Sequence, residues 1–198
     1  MKNINQEELD EILRDHKLWL EGEGGKCADL SNVNLSNVNL RSADLRFINL
    51  SGANLKFTNL KFTNLKYANL NGAILSGANL KDIKTNIHTI GYNLACPEEG
   101  NFIGYKKADG CIVKLLILED AKRSSATTIK CRCNKAKVLD IENIETGEKV
   151  NEVYSDYDSN FIYKVGKIIH VDDFDNDRWN ECSTGIHFFI NKENAMNY

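Results

Sequence analysis

A leucine recurs at every fifth position through the first half of this chain. It stands at residue 30 and at each fifth residue up to 80, eleven times in succession. The second residue before each leucine is small or β-branched, and the residue directly before it is Asn or Asp everywhere except at Ile74. A period of five matches neither the 3.6 of an α-helix nor the 2 of a β-strand. The chain therefore has to bend once per pentad, with the leucine and the small residue pointing inward.

The Asn and Asp residues before the leucines are predicted to stand at the corners of these bends. Their side chains form hydrogen bonds with nearby backbone, and they tolerate unusual backbone dihedral angles. The remaining positions of each pentad are predicted to point outward.

The pattern is clearest in the segments ADLSNVNLSNVNL, SGANLKFTNL and NGAILSGANL. These segments resemble the A(D/N)LXX signature of the pentapeptide-repeat family, and the resemblance extends over residues 28 to 82. It implies a mainly β protein built on a right-handed quadrilateral β-helix with four pentads per coil, a solenoid of just under three coils. Residues 20 apart would then stack, so that Ile48 lies between the smaller Ala28 and Ala68 in one inward column.

Two outward features of the repeat are candidate binding surfaces. Phe47 and Tyr67 would stack as a ladder that either stabilises neighbouring coils or docks a partner. Residues 28–82 carry a net charge of +3, whereas the segments on either side carry −3 each. The cations would form two columns, Arg41, Lys61 and Lys81 in one and Arg46 and Lys66 in the next. These columns either contact phosphates or an acidic partner, or form a solvated face that prevents edge-to-edge aggregation.

Some pentapeptide-repeat proteins resemble duplex DNA in shape and charge and thereby protect or inhibit gyrase. Those proteins are longer, and the surface concerned is acidic. The repeat of this chain is short and basic, and this departure argues against DNA mimicry.

The segment before the repeat is predicted to be a helix over about residues 6–20. Asn5 is the expected N-cap, with Glu8 as its capping-box partner, and Gly22 is expected to end the helix. Because the end of a solenoid exposes its apolar interior, we expect this helix to cap the first coil, with docking on the C-terminal domain as the alternative. His16, on its apolar face, is expected to be a packed or partly exposed histidine rather than a ligand.

Residues 95–198 are predicted to form a small α+β domain, after an N-terminal segment 1–27 and a solenoid 28–94. Asp109-Gly110 is a strong signal for a hairpin. Further strands are expected at TTIKCRC, KAKVLDIE, IYKVGKIIHV and TGIHFFI, and a short helix at about 192–197. The last part of the chain is similar to a C-terminal domain of uncharacterised pentapeptide-repeat proteins from bacteria and phages, a resemblance that implies no activity.

Few residues of this domain suggest chemistry. Cys182 and His187 flank a Ser-Thr-Gly turn and form a Cys–His catalytic pair, a structural motif that fixes the turn, or part of a ligand-binding site. Cys131 and Cys133 would lie on one face of a strand, but no second ligand pair accompanies them, so we expect buried thiols rather than a metal site. Residues 173–184 lack the Gly and the final acid of a calcium loop, which predicts an acidic surface loop. No cofactor motif is present.

These observations favour a non-enzymatic interaction or scaffold protein with no cofactor and no metal. The alternatives are nucleic-acid or nucleotide binding through the basic columns, and an enzyme that uses Cys182 and His187. No segment has the ~18 apolar residues of a membrane span, and the N-terminus lacks a signal-peptide core, so we expect a cytoplasmic protein that does not bind membranes. A protein partner is expected but not identified, and a homodimer is compatible with the sequence.

Overall fold

The computed structural model describes all 198 residues and divides into two compact units. The first unit comprises residues 1–93 together with residues 126–128. The second comprises residues 94–125 and 129–198. Each is described below by itself. The chain is mainly β, and neither of its two helices is long and apolar enough to cross a membrane.

The first unit is a β-helix whose coils contain 20 residues. Parallel bridges join residues 20 apart, from Asp29 with Asn49 to Asn64 with Lys84. The leucines from 30 to 75 point into the interior and are at most 1% exposed. Backbone N–H groups donate to carbonyls of the next coil, as from Leu50 to Asn69 at 2.8 Å. The pentad period therefore produces the stacked coils that the sequence predicted.

Each pentad turns at the two residues that follow the leucine. The carbonyl of Leu50 accepts the N–H of Ala53 at 3.0 Å, and Gly52 has a positive φ of 65°, as at the third position of a type II turn. The equivalent residue is left-handed throughout the repeat, including Asn32, Asn37, Ser42, Phe47, Phe57, Phe62, Tyr67 and Asp82. The prediction that the Asn before each leucine tolerates the unusual dihedral angles was wrong.

The Asn before the leucine instead lies in the β-bridge and stabilises the turn from there. The Oδ1 atom of Asn49 accepts the N–H of Ser51 at 3.1 Å, and the same bond recurs along the repeat. The prediction that these side chains bond nearby backbone is confirmed.

Helix α1 spans Gln6–Glu21 and begins at the predicted capping box of Asn5 and Glu8. It ends at Gly22, whose φ of 75° is left-handed. His16 is fully buried, and its Nδ1 accepts the N–H of Ala28 at 3.1 Å. Gln6 pairs with the backbone N–H and carbonyl of Asn39 through its side-chain amide, at 2.9 and 3.2 Å. Before the helix, the short strand β1 (Lys2–Asn3) runs parallel to β2 (Val33–Asn34).

The ladder continues beyond the last pentad but with different inward residues. Thr89 is buried and donates from its hydroxyl to the carbonyl of Leu65 at 3.0 Å, whereas Ile87 and Ile90 are exposed. A later segment completes the unit: the hydroxyl of Thr127 donates to the carbonyl of Ala73 at 2.6 Å. Nothing in the sequence indicated that residues 126–128 belong with the solenoid.

The second unit contains three small antiparallel sheets and a short helix. Its strands are β3 (Phe102–Ala108), β4 (Cys111–Ile117), β5 (Arg123–Ser125), β6 (Cys131–Cys133), β7 (Lys135–Asn143), β8 (Glu152–Tyr154), β9 (Ile162–Lys164), β10 (Ile168–His170) and β11 (Ile186–Phe188), followed by α2 (Lys192–Met196). The strand orders are β10-β7-β4-β3, β11-β6-β5 and β8-β9.

The predicted hairpin at Asp109-Gly110 joins β3 to β4, and both turn residues have positive φ, as in a type I′ turn. The prediction of one strand at IYKVGKIIHV was wrong, because the chain turns at Gly166 and β9 and β10 join different sheets. Cys131 and Cys133 are fully buried in the core of this unit, as predicted.

Candidate functional site

Four rings form a column on one corner of the solenoid. Phe47 stacks on Tyr67 with ring centroids 4.8 Å apart and planes 8° from parallel. Tyr67 stacks in turn on His88 at 5.4 Å, and the edge of Trp19 meets Phe47 at 6.0 Å. Because the neighbouring rings already cover much of one another, this column stabilises adjacent coils whether or not it also docks a partner.

Phe57 stands outside this column. Its side chain is 65% exposed and has no ring partner, yet its φ is 58°. A left-handed backbone is unfavourable for a bulky residue, by about 1–2 kcal/mol. Asn37 and Gly77 occupy the equivalent position in the coils on either side, and these residues adopt the left-handed conformation at a lower energetic cost. Phe57 thus places an exposed ring at a position where the left-handed backbone is unfavourable for it.

The predicted cationic columns are aligned by the backbone. The N–H of Ser42 donates to the carbonyl of Lys61 at 2.9 Å, and the N–H of Phe62 donates to that of Lys81 at 3.0 Å. Arg41 and Lys61 both approach the ring of Phe62, at 4.9 and 4.7 Å from its centroid. These contacts leave the positive charges on the surface without an acidic partner.

In the second column, Arg46 is bound by the carboxylate of Asp44 at 2.9 Å, whereas Lys66 forms no ion pair. The structure therefore leaves four of the five predicted cations unpaired, Arg41, Lys61, Lys66 and Lys81.

The second unit contains a cavity of about 950 Å³. Cys182 and His187 both line it, so the structure brings the two predicted residues to one site. They form no hydrogen bond with each other: Cys182 Sγ lies 3.5 Å from Lys130 Nζ, and His187 Nε2 is buried without a partner. Burial lowers the pKa of His187 to about 4, helped by the charges of Lys130 and Lys106. The imidazole is thus neutral near pH 7, but it forms no hydrogen bond with the thiol of Cys182.

Sequence reasoning missed the two lysines of this cavity. Lys130 is 7% exposed, and its Nζ donates to the hydroxyl of Tyr198 at 3.1 Å. Lys106 makes no hydrogen bond and no ion pair; its Nζ lies 5.8 and 5.9 Å from the ring centroids of Tyr157 and Tyr163. Burial lowers the pKa of Lys106, the charge of Lys130 adds to this, and Asp156 opposes it. Lys106 lies in β3 and Lys130 directly before β6, in different sheets, and no local sequence signal shows that they converge.

A buried arginine holds the loop that carries Cys182. The guanidinium of Arg132 donates to the backbone carbonyls of Asp175, Asp177 and Thr184, at 2.6, 2.6 and 3.0 Å. The acidic loop predicted from the sequence is therefore organised through its backbone around a cation of the protein. No group of three or more His, Cys, Asp or Glu is placed to hold a metal ion.

Comparison with known families accounts for both units. Residues 92–195 match a family of unknown function (DUF5758), and residues 27–56 and 43–82 match pentapeptide repeats. The chain belongs to the DUF5758 family and carries pentapeptide repeats. The family resemblance drawn from the sequence is therefore confirmed, as is the presence of an additional domain. No curated protein matches the chain.

Three solved pentapeptide-repeat structures from cyanobacteria are similar to part of it. HetL of Nostoc sp. strain PCC 7120, involved in regulating heterocyst differentiation, is 31% identical over 28% of this chain and 35% of its own, with a TM-score of 0.25. Rfr23 of Cyanothece 51142 is 37% identical over 30% and 51%, with a TM-score of 0.14. A third, from Nostoc PCC 7120, is 27% identical over 38% and 80%, with a TM-score of 0.12. The chain thus spans about a third of the length of HetL and about half of the length of Rfr23.

The two candidate surfaces fall in different matched segments. The exposed aromatic and cationic corners lie within the pentapeptide repeats. The cavity residues from Lys106 to His187 lie within the DUF5758 segment, and Tyr198 follows it. The cavity is therefore the candidate site of the DUF5758 segment, and the outer corners are the candidate surface of the pentapeptide repeats.

Proposed function

We propose that this pentapeptide-repeat member of the DUF5758 family is a non-enzymatic interaction protein. Its solenoid is a rigid docking platform, and its C-terminal domain supplies a second binding site. In this proposal the chain is organised as 1–27, 28–94 and 95–198, the solenoid is right-handed and quadrilateral, and α1 caps its first coil. The contacts of His16 with Ala28 and of Gln6 with Asn39 support the capping role.

The observation that carries the docking role is the exposed, left-handed Phe57. A folded chain gains little from a ring that is 65% exposed, and the same turn is formed at lower cost by Asn or Gly. Residues that keep an unfavourable backbone conformation cluster at functional sites. One part of the Phe57 ring packs against Gly77 of the next coil, and its exposed part is therefore assigned to contact with a partner.

The charges around Phe57 indicate the chemistry of that partner. Lys56 precedes it in the same turn, and the neighbouring corner presents Phe62 with Arg41 and Lys61. An exposed aromatic ring among unpaired cations fits an acidic protein segment that also offers an apolar side chain. We therefore propose an acidic protein partner for this surface.

The test removes the ring and keeps the turn. Phe57→Asn places at this position the residue that already occupies it at Asn37, so the coil is expected to stay folded. Partners recovered by cross-linking in the native host with the wild-type chain would be purified and titrated against wild-type and variant protein. We expect Phe57→Asn to weaken binding at least about tenfold, as loss of an aromatic anchor does.

Ser42→Asn is the matched control, because it changes an exposed residue at the same left-handed position without removing a ring. Equal affinities of the wild type, Phe57→Asn and Ser42→Asn would overturn the proposed docking surface. A thermal melt of each variant shows whether the fold is intact.

A second candidate function is single-stranded nucleic-acid binding, favoured by the aligned and unpaired column of Arg41, Lys61 and Lys81. Rings and cations together are the elements such proteins use. This function predicts oligonucleotide affinity that falls steeply with salt and falls further in the triple substitution to Gln. Affinity that is independent of salt would exclude it.

A further inference from the structure

We propose that the cavity of the C-terminal domain binds a small organic oxyanion, a carboxylate or phosphate joined to an aromatic ring. This names the ligand class for the binding role that the proposed function gives to this domain, and it rests on that part of the proposal. It does not depend on the docking surface of the solenoid.

Positive and negative charges are separated within the cavity. Two lysines of the lining are covered: Lys130 is 7% exposed, and Lys106 is partly buried, as is the neutral His187. The third lining lysine, Lys107, is exposed. The acidic lining residues are all exposed, namely Asp156, Asp158, Asp172 and Asp173. The covered part of the cavity is therefore positive, and its exposed part is negative. A ligand that places an anionic head inward matches this arrangement.

Two of the exposed acidic lining residues bind groups other than the lysines. Asp172 pairs with His170 at 3.1 Å, and an oxygen of Asp156 accepts the N–H of Asp109 at 2.8 Å. Glu181 forms an ion pair with Lys130, with its carboxylate oxygen 4.0 Å from Lys130 Nζ. No ion pair reaches Lys106, which is partly buried. A partly buried amino group without a carboxylate is costly, and an anion entering the cavity would compensate it.

The positive charge of Lys130 disfavours the charge of Lys106, which Asp156 favours, and both lysines disfavour protonation of His187. Lys130 is among the causes that lower the pKa of Lys106, and both lysines are among those that lower the pKa of His187. Like charges held together in a partly desolvated cavity create a positive potential that a bound anion relieves. Lys106 Nζ makes no hydrogen bond and no ion pair, so it does not have to break one to meet a ligand.

Aromatic walls of the cavity match the ring of the proposed ligand. Two ring pairs line the cavity: Phe161 with Tyr163, and Phe189 with Tyr198, each with centroids 5.2 Å apart. Binding sites for small molecules combine such apolar walls with a few polar groups and have volumes of about 300–1,000 Å³. The volume of about 950 Å³ accommodates a ring with its oxyanion. The rings of the cavity give the aromatic ring of the ligand an apolar surface on which to stack, and the lysines bind its anionic group.

The test is calorimetric titration of the full chain with five compounds. Phenyl phosphate, benzoate and adenosine monophosphate represent ring-bearing phosphates and carboxylates. Inorganic phosphate lacks the ring, and benzylamine has a ring with the opposite charge. We expect at least one of the ring-bearing anions to bind with a Kd below about 1 mM, inorganic phosphate to bind at least about tenfold more weakly, and benzylamine not to bind.

The phosphate and carboxylate compounds distinguish the two sources of the oxyanion. Binding of benzylamine as tightly as the anions, or binding of none of the ring-bearing anions at about 10 mM, would overturn the proposal. Binding of inorganic phosphate as tight as that of phenyl phosphate would overturn the assignment of the rings.

A matched pair of variants locates the site. Lys106→Gln removes the unpartnered cation of the cavity, and Lys122→Gln removes an exposed charge of the same unit that does not line it. We expect the first to weaken the binding of the tightest anion at least about tenfold and the second to leave it unchanged within about twofold. Equal effects of the two variants would overturn the assignment.

A measurement on the wild-type chain does not depend on how the variants fold. Reductive methylation with ¹³C-formaldehyde labels the lysines, and the resonance assigned to Lys106 is expected to shift on titration with the anion. An unchanged Lys106 resonance at saturation would overturn the site. None of these outcomes involves Phe57, so failure here is distinguishable from failure of the docking surface.

Discussion

The ring of Phe57 lies directly against the backbone of Gly77, which stacks on it in the next coil. A Cβ atom at Gly77 would come within 2.5 Å of Phe57 Cδ1 and 2.6 Å of Cε1. Gly77 also has a φ of 69°. Because both the ring and the backbone require glycine, this contact is a specific point at which two coils depend on each other.

We predict that Gly77→Ala lowers the free energy of unfolding by about 2–4 kcal/mol, since it adds a steric clash to an unfavourable backbone conformation. Urea unfolding of the full chain measures the loss. Gly72→Ala is the matched control: its φ of 70° is the same, but its Cβ would meet no atom closer than 3.8 Å. The control is expected to lose only about 1 kcal/mol. Equal losses at the two positions would show that the ring contact contributes nothing.

We predict that Arg132→Met destabilises the loop of residues 173–184. The substitution keeps much of the buried volume but leaves the carbonyls of Asp175, Asp177 and Thr184 without their donor. A loss of about 2–4 kcal/mol is expected, since unsatisfied polar groups remain. Hydrogen exchange should rise in this loop before it rises in β4 or β7. Lys122→Met, at an exposed position of the same unit, should change neither measurement.

We predict that His187 makes the protein less stable as the pH falls from about 6.5 to 4. The pKa of His187 is lowered to about 4, whereas that of an unfolded histidine is about 6.5. In this window the unfolded chain binds the extra proton and the folded chain does not, so stability decreases with decreasing pH. The contribution is at most about 3 kcal/mol, and it is smaller where solvent screens the charge.

The comparison with His187→Gln isolates this contribution. Denaturant unfolding between pH 4 and 7 should show a flatter pH dependence for the variant than for the wild type. Parallel pH profiles would mean that His187 is protonated in the folded state as readily as in the unfolded state. Burial also lowers the pKa of His16. Because His16 is present in both proteins, its contribution cancels in the comparison.

We predict that Asn5→Ala lowers the free energy of unfolding by about 1 kcal/mol, since its side chain accepts the N–H of Glu8 at 2.9 Å. Asn5→Asp keeps this acceptor and adds a negative charge at the helix N-terminus, so it should retain or exceed wild-type stability. Chemical unfolding monitored by circular dichroism measures both variants. Loss of the same stability in both would show that the cap does not act through this bond.

The repeat shows which part of the fold could be predicted from neighbouring residues. Leucine at every fifth position requires a bend per pentad, and each bend is closed by a bond between residues three apart, as from Ala53 to Leu50. The capping box of α1 and the hairpin at Asp109-Gly110 are similarly local. The position of the left-handed residue was missed, because Phe57 and Tyr67 occupy it without the usual preference for Asn or Gly.

The candidate site shows the opposite case. Cys182 and His187, five residues apart, were singled out as a pair that the turn between them allows to meet, and both line the cavity. The lysines that give the cavity its charge come from β3 and from the approach to β6, and Lys130 meets Cys182 across 52 residues of sequence. Such contacts depend on strand pairing and on the loop held by Arg132, neither of which has a local pattern.

The sequence by itself determined the stacked coils, the helix before them and the presence of a separate C-terminal domain, because pentad periodicity, capping and turn preferences act over a few residues. Only the tertiary structure decided that residues 126–128 complete the solenoid unit and that Lys106, Lys130 and His187 share one cavity. The physical reason is that these groups are joined by long loop closures, whose outcome is set by packing of the whole domain rather than by the preferences of any segment.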